Sequence, residues 1–538
     1  MKKYNILGFT LGAHSCGMAY IKEGMIVAVI EEERINRIKP FFDYEDNFER
    51  YPVDSLNTLR NRYGLDLNSI DYFTSFLPYT ISRDVFKIIA DFDLAEEKYI
   101  RIDHHESHAT LSYFLSGFQE DTLAFCVDAS GANGYSSKSY LCKNGNMTYL
   151  DGITTKRKSL GHFYACLTEF VGFKRLKDEG KIVGLSGHGQ YWHDLYNVWK
   201  DVIKIEGTKT DEDNHEIELG GIYLEMYSSF FKKFGSLYWK NKGAIEDIAY
   251  VGQMIFEQKI IELLNNIRNT YCPFVSKIAL SGGVFANVKL NKKINELPWV
   301  SELFVLPPMG DEGLPLGCAV GVLKKLNPEM NPSRIPHVYF GNLFSEDEIN
   351  QAGADFNYQD TDVDFIADLL LQKKIVGLYQ GHSEHGARAL GNRSIICDCT
   401  HQETYNILNT KLQRNDYMPF APSVLDEDVD MIFNLRKSKY TAQFMTLLVD
   451  TKTEWRDKIP TIVHPKDKTA RIQIVTKDSN PLFYDILKAY KNKTGYGILV
   501  NTSFNVHNEP IVDSPKDAFN HLRSGIVEYL ITPKRIFY

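Results

Sequence analysis

Two histidines four residues apart in His104-His105-Glu106-Ser107-His108 fall on one face of a helix, where His104 and His108 can bind a single metal ion. Carboxylates stand at two glycine turns elsewhere in the chain. Asp128 opens Asp128-Ala129-Ser130-Gly131, and Asp311 lies within Gly310-Asp311-Glu312-Gly313. Two imidazoles with two carboxylates make a donor set suited to a divalent transition metal. The alternative for the histidines alone is a buried hydrogen-bonding pair.

A second constellation lies toward the C-terminus. The segment from Gln380 to Ile395 follows the strand-like Ile375-Val376-Gly377-Leu378-Tyr379 and gathers Arg388 and Arg393 with Gly381, Gly386 and Gly391. Lys411, Arg414, Met418-Pro419-Phe420-Ala421-Pro422-Ser423, Arg471 and Asn501-Thr502-Ser503-Phe504-Asn505 come after it. Arginines spaced through glycine-rich turns suit phosphate and carbamate oxygens, because the guanidinium fork makes paired, charge-assisted hydrogen bonds. The competing reading, arginines on solvated turns, fits less well with so much glycine and amide sequence around them.

A pattern that occurs twice positions the first set. Tyr4 to Phe9 runs as a strand into the turn Thr10-Leu11-Gly12-Ala13-His14-Ser15, with further strands near 17–21 and 25–30; Thr122 to Val127 runs into Asp128-Ala129-Ser130-Gly131, with strands near 137–141 and 147–150. Backbone N–H groups in two such turns face phosphates, which is how a duplicated actin-like ATPase grips a nucleotide. A helix over 245–271 and a strand over 277–280 lead to Ser281-Gly282-Gly283-Val284-Phe285-Ala286-Asn287, where a glycine pair between strand and helix lets backbone approach a ligand. A strand over 303–306 and a helix over 314–326 close this part. Three prolines and two asparagines between Asn327 and Pro336 mark an inter-domain connection, and a helix over 364–373 opens mixed α+β sequence. The expected class is α/β plus α+β, with domains at 1–340 and 341–538.

At 538 residues the chain exceeds the roughly 250 to 300 residues of a single core. A hydrophobic fraction of 43% and a charged fraction of 24% are those of a soluble globular protein, and no apolar run approaches the roughly 18 residues of a membrane span. The start reads as a strand and not as a signal peptide. Eight cysteines, at 16, 126, 142, 166, 272, 318, 397 and 399, lack zinc-ribbon pairing and read as buried free thiols of a reducing, cytoplasmic compartment. Cys397 and Cys399 would share one face of a strand. The net charge of −8 disfavours broad attraction to a polyanion.

At these residues the chain resembles the O-carbamoyltransferases of antibiotic and nodulation-factor biosynthesis. The likeness covers nearly the whole chain. It rests on the His14 turn, His104-His105-Glu106-Ser107-His108-Ala109, Asp178-Glu179-Gly180-Lys181-Ile182-Val183-Gly184-Leu185, Ser281 to Asn287, Arg388-Ala389-Leu390-Gly391-Asn392-Arg393-Ser394-Ile395, Pro419 to Leu425 and Asn501 to Asn505. The resemblance implies a duplicated actin-like ATPase (ASKHA) domain related to threonylcarbamoyl-transfer enzymes, followed by a YrdC-like domain that forms carbamoyl-adenylate from carbamoyl phosphate and ATP. It also implies that His104, His108, Asp128 and Asp311 bind iron, expected as Fe2+, and that His14 is the base beside the acceptor. Gly12, Lys181, Gly282, Gly283 and Asn287 are implied to contact the nucleotide. Arg388, Lys411, Arg414, Arg471, Ser503 and Asn505 are implied to hold carbamoyl phosphate and ATP, with Mg2+.

The departures from the family pattern concern charge. His14-Ser15 replaces the usual His-Asp, Met418 an Arg, His507-Asn508 an Arg-Gly, and His385-Gly386-Ala387-Arg388 the usual Phe-Gly-Pro-Arg. Two alternatives follow: a threonylcarbamoyl-type enzyme acting on tRNA, disfavoured by domain order and acidic charge, and a catalytically weakened two-domain nucleotide-binding protein. The acceptor is expected to be a small-molecule alcohol, a sugar or natural-product hydroxyl, with a hydroxymethylated base in DNA as the other class; a homodimer and no membrane partner complete the expectation. Residues from about 30 to 100 and 190 to 245 stand as acceptor-facing insertions, packing surface or dimer surface.

Overall fold

Two sheets of one topology form the first part of the chain. In the first sheet the order is Met25–Glu31, Gly17–Lys22, Ile6–Thr10, Tyr72–Ser75, Tyr99–Arg101; in the second it is Asn146–Thr154, Tyr135–Lys143, Thr122–Val127, Lys277–Ser281, Glu302–Val305. Each has an antiparallel meander of three strands to which two parallel strands are added. The central strands Ile6–Thr10 and Thr122–Val127 are buried along their whole length, as strands covered on both faces are. This computed structural model describes residues 2–12, 15–39, 51–131, 134–154, 159–210, 244–414 and 419–538.

The repeat is more extensive than the sequence pattern indicates. Residues 72–75 and 99–101, in or at the edge of the stretch read as an acceptor-facing insertion, packing surface or dimer surface, are the two parallel strands of the first sheet. Leu56, Leu59, Phe73 and Phe86 of this stretch lie in a core cluster with Phe9 and Tyr20, so burial here outweighs the aromatic and charged composition. Much of the second candidate insertion, 211–243, lies outside the described residues.

The helix His104–Ser116 starts where the Asp103 carboxylate accepts hydrogen bonds from the His105 and Glu106 backbone N–H groups, satisfying orphan donors of the first turn. The helix Leu314–Leu326 crosses it at Gly317, where an added Cβ would lie 2.4 Å from the Ser107 carbonyl oxygen. Only glycine allows that approach.

Beyond 327–336, which carries no helix or strand, an eight-stranded mixed sheet runs in the order Tyr358–Asp360, Arg535–Phe537, Tyr529–Ile531, Val376–Tyr379, Arg393–Cys397, Ile498–Ser503, Ala421–Leu425, Gln473–Val475. A three-stranded sheet, Phe433–Asn434, Leu448–Thr451 and Thr469–Arg471, stands beside it and ends on Arg471. The two parts share a core: one cluster of buried side chains includes Val127, Leu280 and Phe285 with Ile395, Val424 and Phe504. Tyr440 stacks on Phe304 at 5.2 Å, and its hydroxyl lies 3.1 Å from the carbonyls of Leu115 and Ile335. Among the described residues no disulfide joins the cysteines, and Cys397 and Cys399 enter the same cluster. Among the described residues no helix is long and apolar enough to cross a membrane.

Candidate active site

His104 and His108 stand one turn apart on the buried face of their helix, Asp128 follows the end of the strand Thr122–Val127, and Asp311 begins the short 3-10 turn Asp311–Gly313. Ligand atoms from these four side chains lie within 4.8 Å of one another. His108 Nε2 is 3.3 Å from Asp311 Oδ1 and 3.6 Å from Asp128 Oδ2; His104 Nε2 is 3.5 and 3.9 Å from the same two atoms. Among the described residues, both ring nitrogens of His104 and Asp128 Oδ2 are buried without a hydrogen-bond partner. Leaving such groups unsatisfied costs about 1–3 kcal/mol each, and a divalent cation with two nitrogen and two oxygen donors would satisfy them. Burial alone would raise the Asp128 carboxyl, but His104, His108 and His105 hold it below the ordinary carboxylate range.

A cavity of about 500 Å³ opens from Asp128 and Asp311. The second-sheet turns supply one side of it, through Ala129, Ser130 and Gly283. Gly282 stands behind that wall at φ +92°, where a Cβ would meet the Val127 carbonyl oxygen at 2.2 Å. Asn287 lines the cavity, but its amide is already engaged: it caps the helix Val288–Asn295 through Leu290 N and pairs with Gln253 in both directions.

The second cavity, about 320 Å³, lies where the two parts of the chain meet and holds Arg388, Arg414 and Arg471. Burial lowers the Arg471 guanidinium first, and the like charges of Arg388 and Arg414 lower it further. Arg414 donates to Thr502 Oγ1 at 3.0 Å and lies over the Phe420 ring. Among the described residues no carboxylate forms an ion pair with any of the three. A trio of guanidinium groups facing a cavity offers charge-assisted donors to an anion. The two cavities share Lys177, Gly180 and Arg388 as lining residues.

The sequence can be set against known proteins at this point. The model of the carbamoyltransferase N-terminus matches residues 79–320, and that of the carbamoyltransferase C-terminus matches 367–537. The first takes in the His104, His108, Asp128 and Asp311 cluster and the second the three arginines. The chain belongs to the O-carbamoyltransferase family. It is 32% identical over 532 residues to uncharacterized protein MJ1051 of Methanocaldococcus jannaschii, a match covering 96% of each chain. Nodulation protein NolNO of Sinorhizobium fredii is 28% identical, over 94% of this chain and 76% of its own. The 3'-hydroxymethylcephem-O-carbamoyltransferase of Streptomyces clavuligerus is 25% identical, over 64% of this chain and 62% of its own. The chain is therefore a transferase.

Not every residue expected from the sequence falls in these sites of the O-carbamoyltransferase. Ser503 and Asn505 line the arginine cavity, although the Asn505 amide donates to Val506 and Glu509 carbonyls. Lys411 does not line it: its ammonium reaches out to the Gly525 carbonyl at 2.6 Å. Lys181, expected beside the nucleotide turns, lines the arginine cavity and pairs with Asp178 at 2.8 Å. Gly12 has φ +136° in the first turn, while His14 and Met418 lie outside the described residues. His507 and Asn508, read from the sequence as departures from the family pattern, line the arginine cavity. Sequence reasoning missed Lys39 and Lys177, which line the same cavity. The position of Lys177, directly before the motif at 178–185, was the available signal; for Lys39 there was none, because its approach is made by the fold.

Proposed function

We propose that this O-carbamoyltransferase forms carbamoyl-adenylate from carbamoyl phosphate and ATP in the arginine cavity and passes the carbamoyl group to an alcohol at the His/Asp site. The observation that carries this reading is the wall common to the two cavities: Arg388, Lys177 and Gly180 border both the arginine site and the His/Asp set. The intermediate need not cross bulk water, where a mixed anhydride hydrolyses. The repeated sheets fit an actin-like domain over 1–340, and the eight-stranded sheet fits a YrdC-like domain over 341–538.

In this reading water cleaves carbamoyl phosphate to carbamate and phosphate, a carbamate oxygen attacks the α-phosphorus of ATP, and pyrophosphate leaves with the electron pair of the broken P–O bond. Arg388, Arg414 and Arg471 hold the phosphate oxygens and offset the developing charge, with Mg2+ accompanying ATP. At the other site His104, His108, Asp128 and Asp311 would hold a divalent metal, Fe2+ by family expectation, which would supply Lewis acidity and an anchor for the adenylate phosphate. The acceptor oxygen attacks the carbamoyl carbon, the bond from that carbon to the AMP oxygen breaks, and AMP leaves with the electron pair. His14 takes the acceptor proton, since an imidazole suits that task near neutral pH. A sugar or natural-product alcohol is the preferred acceptor, and a hydroxymethylated base in DNA is the other class. Release of pyrophosphate from ATP that depends on carbamoyl phosphate tests the reaction; ATP turnover indifferent to carbamoyl phosphate would overturn it.

A further inference from the structure

The four metal-site side chains are not held equally well. His104 and His108 sit on a buried helix at 4% and 1% exposure, and Asp128, at 16%, follows a buried central strand. Asp311 is 32% exposed and rides a 3-10 turn of three residues, Asp311–Gly313. The first part of the chain therefore enforces its position least.

A side chain from the second part reaches that turn. His385 is buried, and its Nε2 lies 2.9 Å from the carbonyl oxygen of Glu312, the residue after Asp311. A carbonyl can only accept, so Nε2 carries the proton and donates it. The His385 backbone is itself tied down, its N–H donating to the Val338 carbonyl at 2.8 Å. Gly386, next in sequence, donates to Glu31 Oε1 at 2.6 Å and accepts from Arg34 Nη2 at 2.7 Å. Glu384, just before, accepts from the backbone N–H groups of Leu390, Asn392 and Arg393. The donor to the Glu312 peptide thus stands on a loop fixed at both ends, three residues before Arg388.

We propose that His385 is a positioning residue for the metal site, fixing the Asp311 turn from the activating part of the chain. It rests on the reading of the His/Asp set as a metal site. A phenylalanine at this position could pack there but could not donate a hydrogen bond. A metal ligand's affinity depends on the hydrogen bonds that orient it, and loss of such an outer partner typically weakens binding about 10- to 100-fold. The same loop presents Arg388 to both cavities, so the activating part of the enzyme also holds the metal-binding part in order.

The test is a titration of the full-length, metal-stripped protein with Co2+, followed by its d–d absorption, in wild type, H385Q and H385M. Glutamine and methionine match in length, but only glutamine can donate an N–H to the Glu312 carbonyl. H385M is expected to bind Co2+ about 10- to 100-fold more weakly than wild type, with H385Q within a few-fold of wild type. Equal binding by H385M and wild type overturns the proposal, as does equal loss in H385Q and H385M. If the methionine variant folds poorly, H385F, with the family's own residue, replaces it under the same criteria. Wild type that binds no Co2+ overturns the metal reading itself, so the two failures are distinguishable.

Discussion

Arg388 stands close enough to Arg471 in the second cavity that, with burial acting first and Arg414 alongside, it weakens the hold of the Arg471 guanidinium on its proton. Such repulsion is relieved by an anion. Inorganic phosphate is therefore expected to raise the thermal midpoint of the wild-type protein, and the rise should vanish in R471A. Carbamoyl-phosphate-dependent pyrophosphate release should fall about 10- to 100-fold in the same variant, the equivalent of one charged hydrogen bond of about 1.5–3 kcal/mol. A phosphate response unchanged in R471A would place the anion elsewhere.

Glu179 lines the metal-side cavity, and burial pushes its carboxyl up to about 7. Because the folded state keeps this proton more tightly than the unfolded chain does, stability falls as pH rises from about 4.5 to about 7 and levels off above that range. At neutral pH and above, E179Q should be more stable than wild type by roughly 3 kcal/mol at most, with the gain fading toward pH 4.5. Denaturant unfolding of both proteins at pH 5 and pH 8 measures it; a gain of equal size at both pH values would contradict the assignment.

How much of this was legible in the sequence differs from site to site. His104 and His108 declare themselves through spacing on one helix, and Asp128 and Asp311 through their glycine turns, because each lies at the end of a locally readable element. The paired meanders were visible as repeated strand-turn-strand patterns. The parallel strands at 72–75 and 99–101 were not, since they are short and pair with strands distant in sequence, Tyr72–Ser75 with Ile6–Thr10 and Tyr99–Arg101 with Tyr72–Ser75. Lys411 was misplaced because neighbouring basic residues on a helix end point different ways: Arg414 turns inward over Phe420, whereas Lys411 turns out to Gly525. The bond from His385 to Glu312 joins residues 73 apart in sequence and has no local signature.

His14→Asn should leave carbamoyl-adenylate formation intact and slow transfer by roughly 10² to 10⁴, the range for loss of a general base. Single-turnover transfer from preformed adenylate separates the two steps, and a variant transferring at the wild-type rate removes His14 from the role. Run on a panel of sugar alcohols and on hydroxymethylcytosine DNA at two salt concentrations, the same assay identifies the acceptor class. A small-molecule alcohol is expected, in keeping with the net charge of −8; transfer confined to DNA and falling steeply with salt would contradict this.

The division of labour between the two cavities is tested most directly by the H104A/H108A double variant, assayed for pyrophosphate release and carbamoyl transfer in one single-turnover experiment. The expected result is a pyrophosphate burst that depends on carbamoyl phosphate and stays near the wild-type rate, with no carbamoylated acceptor and no bound metal. Loss of the burst in step with transfer, in a protein still folded, would contradict the assignment of activation and transfer to separate sites.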